Sequence, residues 1–149
     1  MDEKMVAQLR LLKKYTDFLK QIRRREKAEY LKDNILQGAA ERYLQLSIES
    51  CINIGNRILS FEQMEHNIDI PETYADIFKN MANIGIIEKE FSDRLIKMAK
   101  FRNRLVHVYW DLDSGQIYEI IRNNIDDFDK FLKATANYID RKRGKEYMS

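Results

Sequence analysis

The chain has 149 residues, enough for one domain with a hydrophobic core, and its 44% hydrophobic and 34% charged residues exclude a disordered or low-complexity chain. It contains only five Gly and one Pro, and a β-rich domain of this length needs more turn residues, so the composition favours long helices. The formal net charge of +2 does not by itself indicate nucleic-acid binding.

Apolar residues spaced three and four apart predict about five helices, joined mostly by short links. The predicted helices cover about 3–25, about 29–59, a third from Pro71 to near Gly85, about 88–108, and a fifth that follows the loop 111–115. We therefore expect a single all-α domain over 1–149, an antiparallel up-and-down bundle with a frayed tail over 142–149.

Local signals refine three of these helices. The second helix is apolar on two faces, which predicts a central position between neighbours. Pro71 suits the first position of the third helix, where its missing N–H costs nothing, and Gly85 suits the end of that helix. The apolar face of the third helix is predicted to comprise Tyr74, Ile77, Phe78 and Met81. The loop 111–115 offers side chains that cap the N-terminus of the fifth helix.

The first residues, Met-Asp-Glu-Lys, lack the apolar stretch of a signal peptide. No run approaches the roughly 18 apolar residues needed to cross a bilayer, so the sequence predicts a cytoplasmic protein without membrane contact. Cys51 is the single cysteine, which excludes an intrachain disulfide. It falls in an apolar helical pattern, so we expect a buried structural thiol.

The fourth predicted helix contains a cation within its apolar stripe. The apolar members of this stripe are Phe91, Leu95, Met98, Ala99, Leu105, Val106 and Tyr109. Arg102 falls in the middle of the same stripe, where an unpaired guanidinium would be costly. Either Arg102 has a buried carboxylate partner, or the stripe opens there into a cleft that receives anions.

His107 and Asn103 share one face of this helix, at positions i and i+4, whereas Arg102 and Tyr109 share another. Arg102 and His107 are about 140° apart around an ideal helix. The two side chains could meet if the helix loosens near its end, or if a symmetric dimer brings two copies to one cleft.

Basic residues concentrate around this helix. Between Arg94 and Trp110 lie Lys97, Lys100, Arg102 and Arg104, and no acidic residue interrupts them. Such a local positive field attracts phosphates, so Lys97, Lys100 and Arg104 are candidate RNA-binding residues. Two other basic runs, 23–25 and 141–143, are more typical of solvated helix faces.

The segment from Arg102 to Tyr109 resembles the Arg–four residues–His–X–Tyr motif of HEPN proteins, in their HepT-like branch. The residues that flank the motif, the stretch 39–43 and the order of helices are similar to that branch over nearly the whole chain. The resemblance implies a homodimeric, metal-independent endoribonuclease without cofactor, the toxin of a type II or type VII-like toxin–antitoxin pair. It further implies that a cognate minimal nucleotidyltransferase silences the nuclease by adding AMP to Tyr109.

The motif suits RNA cleavage by the 2′-hydroxyl. A histidine can take or give a proton near neutrality, and an arginine can stabilise charge on the phosphoryl oxygens. We therefore identify His107 and Arg102 as candidate catalytic residues, with Asn103 placed to bind the phosphate or to orient His107.

Three other kinds of function are compatible with a helical bundle of this length. The main alternative is a non-catalytic HEPN-like binding subunit that docks a nucleotidyltransferase or nucleic acid. A di-iron bundle is excluded, because neither His66 nor His107 follows an acidic residue by three positions, and no metal site is expected. A purely structural adaptor would leave Arg102 inside an apolar stripe without a purpose. Phosphate-binding glycine loops are absent.

Overall fold

A computed structural model describes residues 3–107 and 112–148, with side chains described as far as residue 144. Within these ranges the chain forms seven helices and no strand, and the predicted all-α class is confirmed. The helices are α1 (Glu3–Arg23), α2 (Lys27–Lys32), α3 (Asn34–Glu62), α4 (Tyr74–Asn83), α5 (Lys89–His107), α6 (Ser114–Asn124) and α7 (Asp126–Met148). In the described part of the chain, no helix is both long enough and apolar enough to span a bilayer.

Two of the five predicted helices are divided, which explains the larger count. Asp33 leaves the helical conformation, with φ −115° and ψ 95°, and its side chain accepts a hydrogen bond from the N–H of Leu36 at 3.0 Å. This N-cap separates α2 from α3. A turn at Ile125 separates α6 from α7, whose first turn carries three aspartates that favour a helix N-terminus.

The predicted start of the third helix at Pro71 is wrong. Helix α4 begins at Tyr74, and Thr73 is its N-cap. The Thr73 hydroxyl accepts from the N–H of Asp76, while the Asp76 carboxylate accepts from the N–H groups of Thr73 and Glu72, at 3.2 and 3.1 Å. This capping box satisfies the exposed amides better than a proline at the first position, because proline supplies no side-chain acceptor. Gly85 follows α4 with φ +84°, as the prediction for the end of that helix requires.

Helix α3 is the central helix of the bundle, as its two apolar faces predicted. It packs against α1, α4 and α5, and twelve of its residues are buried. The approach of α4 is close, because a Cβ atom at Gly55 would lie 2.7 Å from Cγ2 of Ile77. Cys51 is buried as expected, and burial raises the pKa of its thiol.

The C-terminal helix continues beyond the position where the sequence predicted a frayed tail. Helix α7 extends to Met148, and Nζ of Lys142 lies 2.7 Å from Glu62 and 3.0 Å from Glu65. Tyr138 donates its hydroxyl to the same buried Glu62 carboxylate at 2.6 Å. These contacts connect α7 near residue 142 to the end of α3, and the frayed tail over 142–149 stays a prediction.

Candidate functional site

Helix α5 carries the predicted motif and packs with the expected face toward the core. Phe91, Leu95, Met98, Ala99 and Leu105 are buried, and Val106 is partly buried. Tyr109, the last member of the predicted stripe, lies outside the described residues. The stripe therefore positions Arg102 between buried neighbours on the inner side of α5.

Arg102 has a carboxylate partner on α3. Its Nε and Nη2 atoms donate to Oε1 of Glu49, at 3.0 and 2.7 Å. The side chains are 19% and 28% exposed, so the pair is partly rather than fully buried. Of the two sequence-based alternatives, the first, a buried carboxylate partner, is confirmed for a partner that is only partly buried. The second, a cleft that receives anions, stays a prediction.

The environment of Glu49 favours its ionised form. Partial burial acts to raise the pKa of this carboxyl, but hydrogen bonds from Gln45 and Arg102 and the charges of Arg102 and Arg42 outweigh it. The net effect holds the pKa of Glu49 below its ordinary value. Glu49 is thus an anion that orients Arg102 by charge and by geometry.

The outer side of the Arg102 guanidinium faces polar and aromatic groups. Nη1 donates to Oδ1 of Asn103 at 3.4 Å, and the guanidinium carbon lies 5.7 Å from the centroid of the Tyr74 ring. Tyr74 is 40% exposed, which differs from its predicted place in the apolar face of α4. Arg102 therefore lies where α3, α4 and α5 meet, in contact with Asn103 and Tyr74, which line an open cleft.

His107 and Asn103 are both exposed, on the face of α5 that their spacing predicted. His107 is the last residue of α5 that the structure describes. No hydrogen bond joins Arg102 to His107 within residues 3–107 and 112–148. The structure thus brings Arg102 and Asn103 together and leaves His107 one turn further along α5.

The predicted RNA-binding residues form one exposed face. Lys97, Lys100 and Arg104 are all exposed and recur every three or four residues along α5. Arg94, three residues before Lys97, is already paired, because its Nε and Nη2 atoms donate to the Asp127 carboxylate, both at 3.2 Å. The three remaining cations are available to phosphates.

The two other basic runs are partly neutralised, as expected for solvated faces. Arg23 forms an ion pair with Asp126 at 3.0 Å, and Arg25 lies 4.0 Å from Glu29. Lys142 is engaged by Glu62 and Glu65. Neither run adds a residue to the site around Arg102.

One cluster of potential metal ligands exists in the described part of the chain, away from α5. Ligand atoms of Glu62, Glu65 and His66 lie within 4.8 Å of one another. Lys142 and Tyr138 already bind the Glu62 carboxylate, so a cation would have to displace a lysine ammonium. We assign no metal to this cluster.

The family model of the HepT-like ribonucleases matches residues 9–135. The chain belongs to the ribonuclease HepT-like family. The resemblance that the sequence indicated is thereby confirmed, and the matched range includes the whole of α5 with Arg102, Asn103 and His107.

Two curated relatives of this HepT-like chain are nucleases by name. The mRNA nuclease HepT of Shewanella oneidensis is 30% identical over 105 residues, covering 70% of this chain and 76% of the relative. The tRNA nuclease HepT of Aphanizomenon flos-aquae is 26% identical over 133 residues, covering 89% of this chain and 88% of the relative. A solved structure of a tri-AMPylated Shewanella oneidensis HEPN toxin in complex with an MNT antitoxin superposes with a TM-score of 0.80 and 25% identity. That comparison covers 92% of this chain and 99% of the toxin chain.

Sequence reasoning missed two residues of the HepT-like site. It anticipated a carboxylate partner for Arg102 but not its identity, because several glutamates lie along α3 and the choice depends on how α3 and α5 pack. It also assigned Tyr74 to the core of α4. The Thr73–Asp76 capping box could have revealed that Tyr74 is the first residue of its helix, where side chains are more often exposed.

Proposed function

We propose that this chain is a metal-independent endoribonuclease, the toxin of a type II or type VII-like toxin–antitoxin pair, with Arg102, His107 and Asn103 as its catalytic residues. The observation that carries the proposal is the guanidinium of Arg102, which Glu49 holds in place within the range that the family model matches. The names of the relatives, an mRNA nuclease and a tRNA nuclease, support RNA as the substrate class.

The proposed reaction uses the ribose 2′-hydroxyl as an internal nucleophile. A base removes its proton as the 2′-oxygen bonds to phosphorus, the bond from phosphorus to the 5′-oxygen breaks, and an acid protonates that oxygen. His107 is suited to these proton transfers, because histidine changes protonation near neutral pH. The products are a 2′,3′-cyclic phosphate and a 5′-hydroxyl end.

We assign to Arg102 the binding of the phosphoryl oxygens at the bond that is cut. A guanidinium has five N–H donors, of which Glu49 engages two and Asn103 one, so two remain among the described contacts. Two parallel donors suit the non-bridging oxygens of a phosphodiester. Because Glu49 fixes the guanidinium in advance, these donors need no reorganisation as charge develops on phosphorus.

We assign to the exposed cations of α5 the binding of the phosphates on either side of the bond that is cut. Lys97, Lys100 and Arg104 project from the same helix as Arg102, on its solvent side. Contacts of this kind supply affinity without reading sequence, so they position RNA along the helix.

Homodimerisation and adenylylation complete the proposal. A two-fold axis near the end of α5 would bring two copies of His107 to one cleft, so that one could act as base and the other as acid. The Shewanella toxin is AMPylated and bound to an MNT antitoxin, which supports a nucleotidyltransferase partner here. We assign Tyr109 as the modified residue, since an adenylyl phosphate two residues after His107 would compete with RNA for Arg102.

The test of this chemistry is an oligonucleotide that carries a single 2′-deoxy nucleotide at the mapped cleavage site. We expect the all-ribose oligonucleotide to be cut and to yield 2′,3′-cyclic phosphate ends, whereas the 2′-deoxy substitution stops cleavage at that bond. Cleavage of both oligonucleotides at equal rates would exclude the 2′-hydroxyl mechanism. Salt-dependent RNA binding without any cleavage would support the non-catalytic binding subunit instead.

A further inference from the structure

A cleft of about 530 Å³ opens between α3 and the segment that enters α4, beside Arg102. Its walls include the amide side chains of Asn53, Asn56 and Asn103 and the ring of Tyr74, and Ile52 and Ile77 contribute apolar surface. Asn53 and Asn56 are exposed and one helical turn apart on α3, so both side chains project from the same face.

The composition of the cleft indicates the chemistry of its ligand. Within residues 3–107 and 112–144, Glu72 is the only charged residue that lines the cleft. None of these lining residues is a cation that could bind a phosphate or carboxylate. Asparagine side chains carry both donors and an acceptor, which is what the edge of a nucleobase requires. An exposed aromatic ring supplies a surface on which a base can stack. The lining thus suits a flat, neutral, hydrogen-bonding group.

The cleft is formed before any ligand binds. The Asp76 carboxylate holds the backbone N–H groups of Glu72 and Thr73, which fixes the segment that precedes Tyr74. The contact of Gly55 with Ile77 holds α4 against α3 one turn further along. A ligand therefore meets a shaped surface with little ordering cost.

The cleft is continuous with the catalytic motif. Asn103 both lines the cleft and accepts from Arg102 at 3.4 Å, and the Tyr74 ring lies 5.7 Å from the same guanidinium. A group that occupies the cleft is therefore next to a group that Arg102 binds.

We propose that this cleft is the base-recognition subsite of the nuclease, and that it binds an unpaired nucleobase adjacent to the phosphate held by Arg102. The base stacks on Tyr74, and Asn53 and Asn56 hydrogen-bond its edge. Single-stranded RNA is the matching ligand, because only unpaired bases expose both a face and a Watson–Crick edge. The inference rests on the proposed ribonuclease function. It adds that the base bound in this cleft determines which phosphodiester bond is cut.

The stacking contact is tested by binding of short fluorescent homopolymer RNAs to His107→Ala protein, which should bind without cutting. Tyr74→Leu in this background is expected to weaken binding of the preferred homopolymer roughly tenfold, whereas Tyr74→Phe retains it because the ring remains. Phe61→Leu is the matched control, since Phe61 is 42% exposed on α3 and does not line the cleft. Equal affinities of the Tyr74→Leu and Phe61→Leu proteins would overturn the subsite.

The edge contacts are tested by mapping cleavage sites on one structured RNA with otherwise wild-type protein. Asn53→Ala and Asn56→Ala are expected to change which bases flank the cut bonds, while Asn137→Ala, at an exposed position of α7, leaves the map unchanged. Identical maps for all three variants would overturn the assignment of the amides.

The two proposals fail in different ways. If wild-type protein cuts RNA but the Tyr74 and Asn variants bind and cut as their controls do, the subsite is wrong and the ribonuclease function stands. If wild-type protein cuts no RNA and His107→Ala protein binds none, the proposed function itself fails. Thermal unfolding of each variant confirms that the comparison is between folded proteins.

Discussion

Arg102 donates from Nε and Nη2 to a single oxygen of Glu49, at 3.0 and 2.7 Å, across the interface between α3 and α5. The two residues are 53 positions apart in the chain, so the contact exists only in the folded bundle. It neutralises a guanidinium that interrupts the apolar side of α5, and Nη1 of the same guanidinium donates to Asn103, which lines the cleft. The Glu49 carboxylate thereby compensates the charge of a partly buried guanidinium and also fixes its orientation.

Loss of the Glu49 carboxylate should reduce the rate of RNA cleavage more than the affinity for RNA. We expect Glu49→Ala to lower the single-turnover rate at saturating RNA about 10- to 100-fold, because the guanidinium loses its fixed orientation. Glu49→Gln should be intermediate, since it keeps an acceptor but no charge. Glu41→Ala, a partly buried glutamate on the same helix, is the control. Equal rates for Glu49→Ala and Glu41→Ala would show that Arg102 needs no such support.

The Glu62 carboxylate should make stability depend on acidic pH. Burial acts to raise the pKa of this carboxyl, but Lys142 and Tyr138 outweigh it and hold the pKa below the ordinary value of 4.5. A lowered folded-state pKa contributes stability that is fully present above about pH 4.5 and is lost as the pH falls through the folded-state value.

The measurement is the free energy of unfolding of wild type and Glu62→Gln as a function of pH. The stability difference between the two proteins should be largest near pH 7 and should shrink below about pH 4.5, where Glu62 of the wild type becomes protonated. A difference that stays constant through the acidic range would contradict the lowered pKa.

Two glycines of α3 should respond oppositely to alanine. A Cβ at Gly55 would lie 2.7 Å from Ile77 and 3.1 Å from Met81, so Gly55→Ala should cost about 1–3 kcal/mol through overpacking. A Cβ at Gly38 meets nothing within 4 Å, so Gly38→Ala should stabilise the helix by about 0.5–1 kcal/mol. Urea unfolding of both variants measures these values, and destabilisation by Gly38→Ala would contradict the packing described for α3.

The exposed cations of α5 should determine the salt dependence of RNA binding. Replacing Lys97, Lys100 and Arg104 together by alanine should lower the slope of log K against log salt by about 2, because each single-strand phosphate contact contributes about 0.7. The matched control replaces three exposed cations elsewhere, Arg10, Lys32 and Lys133. An equal slope change in the two triple variants would mean that RNA does not follow α5.

The structure also shows which features a single sequence can predict. The start of α5 was predicted within a residue, because its apolar period is strong. The breaks at Asp33 and Ile125 were missed, since an apolar period continues across both and only local capping interrupts the helix. Side-chain partners such as Glu49 depend on the relative rotation of two helices, which the period of either helix alone does not determine.

The proposed catalytic role of His107 is tested most directly by RNA cleavage in EDTA with protein produced without any nucleotidyltransferase. Wild type and His66→Ala, which alters the other histidine of the chain, should cut structured RNA, whereas His107→Ala should lose at least about 100-fold in rate. Cleavage by His107→Ala at the wild-type rate would contradict the account. So would the absence of cleavage by wild type when mass spectrometry finds Tyr109 unmodified, and the chain would then be a binding subunit.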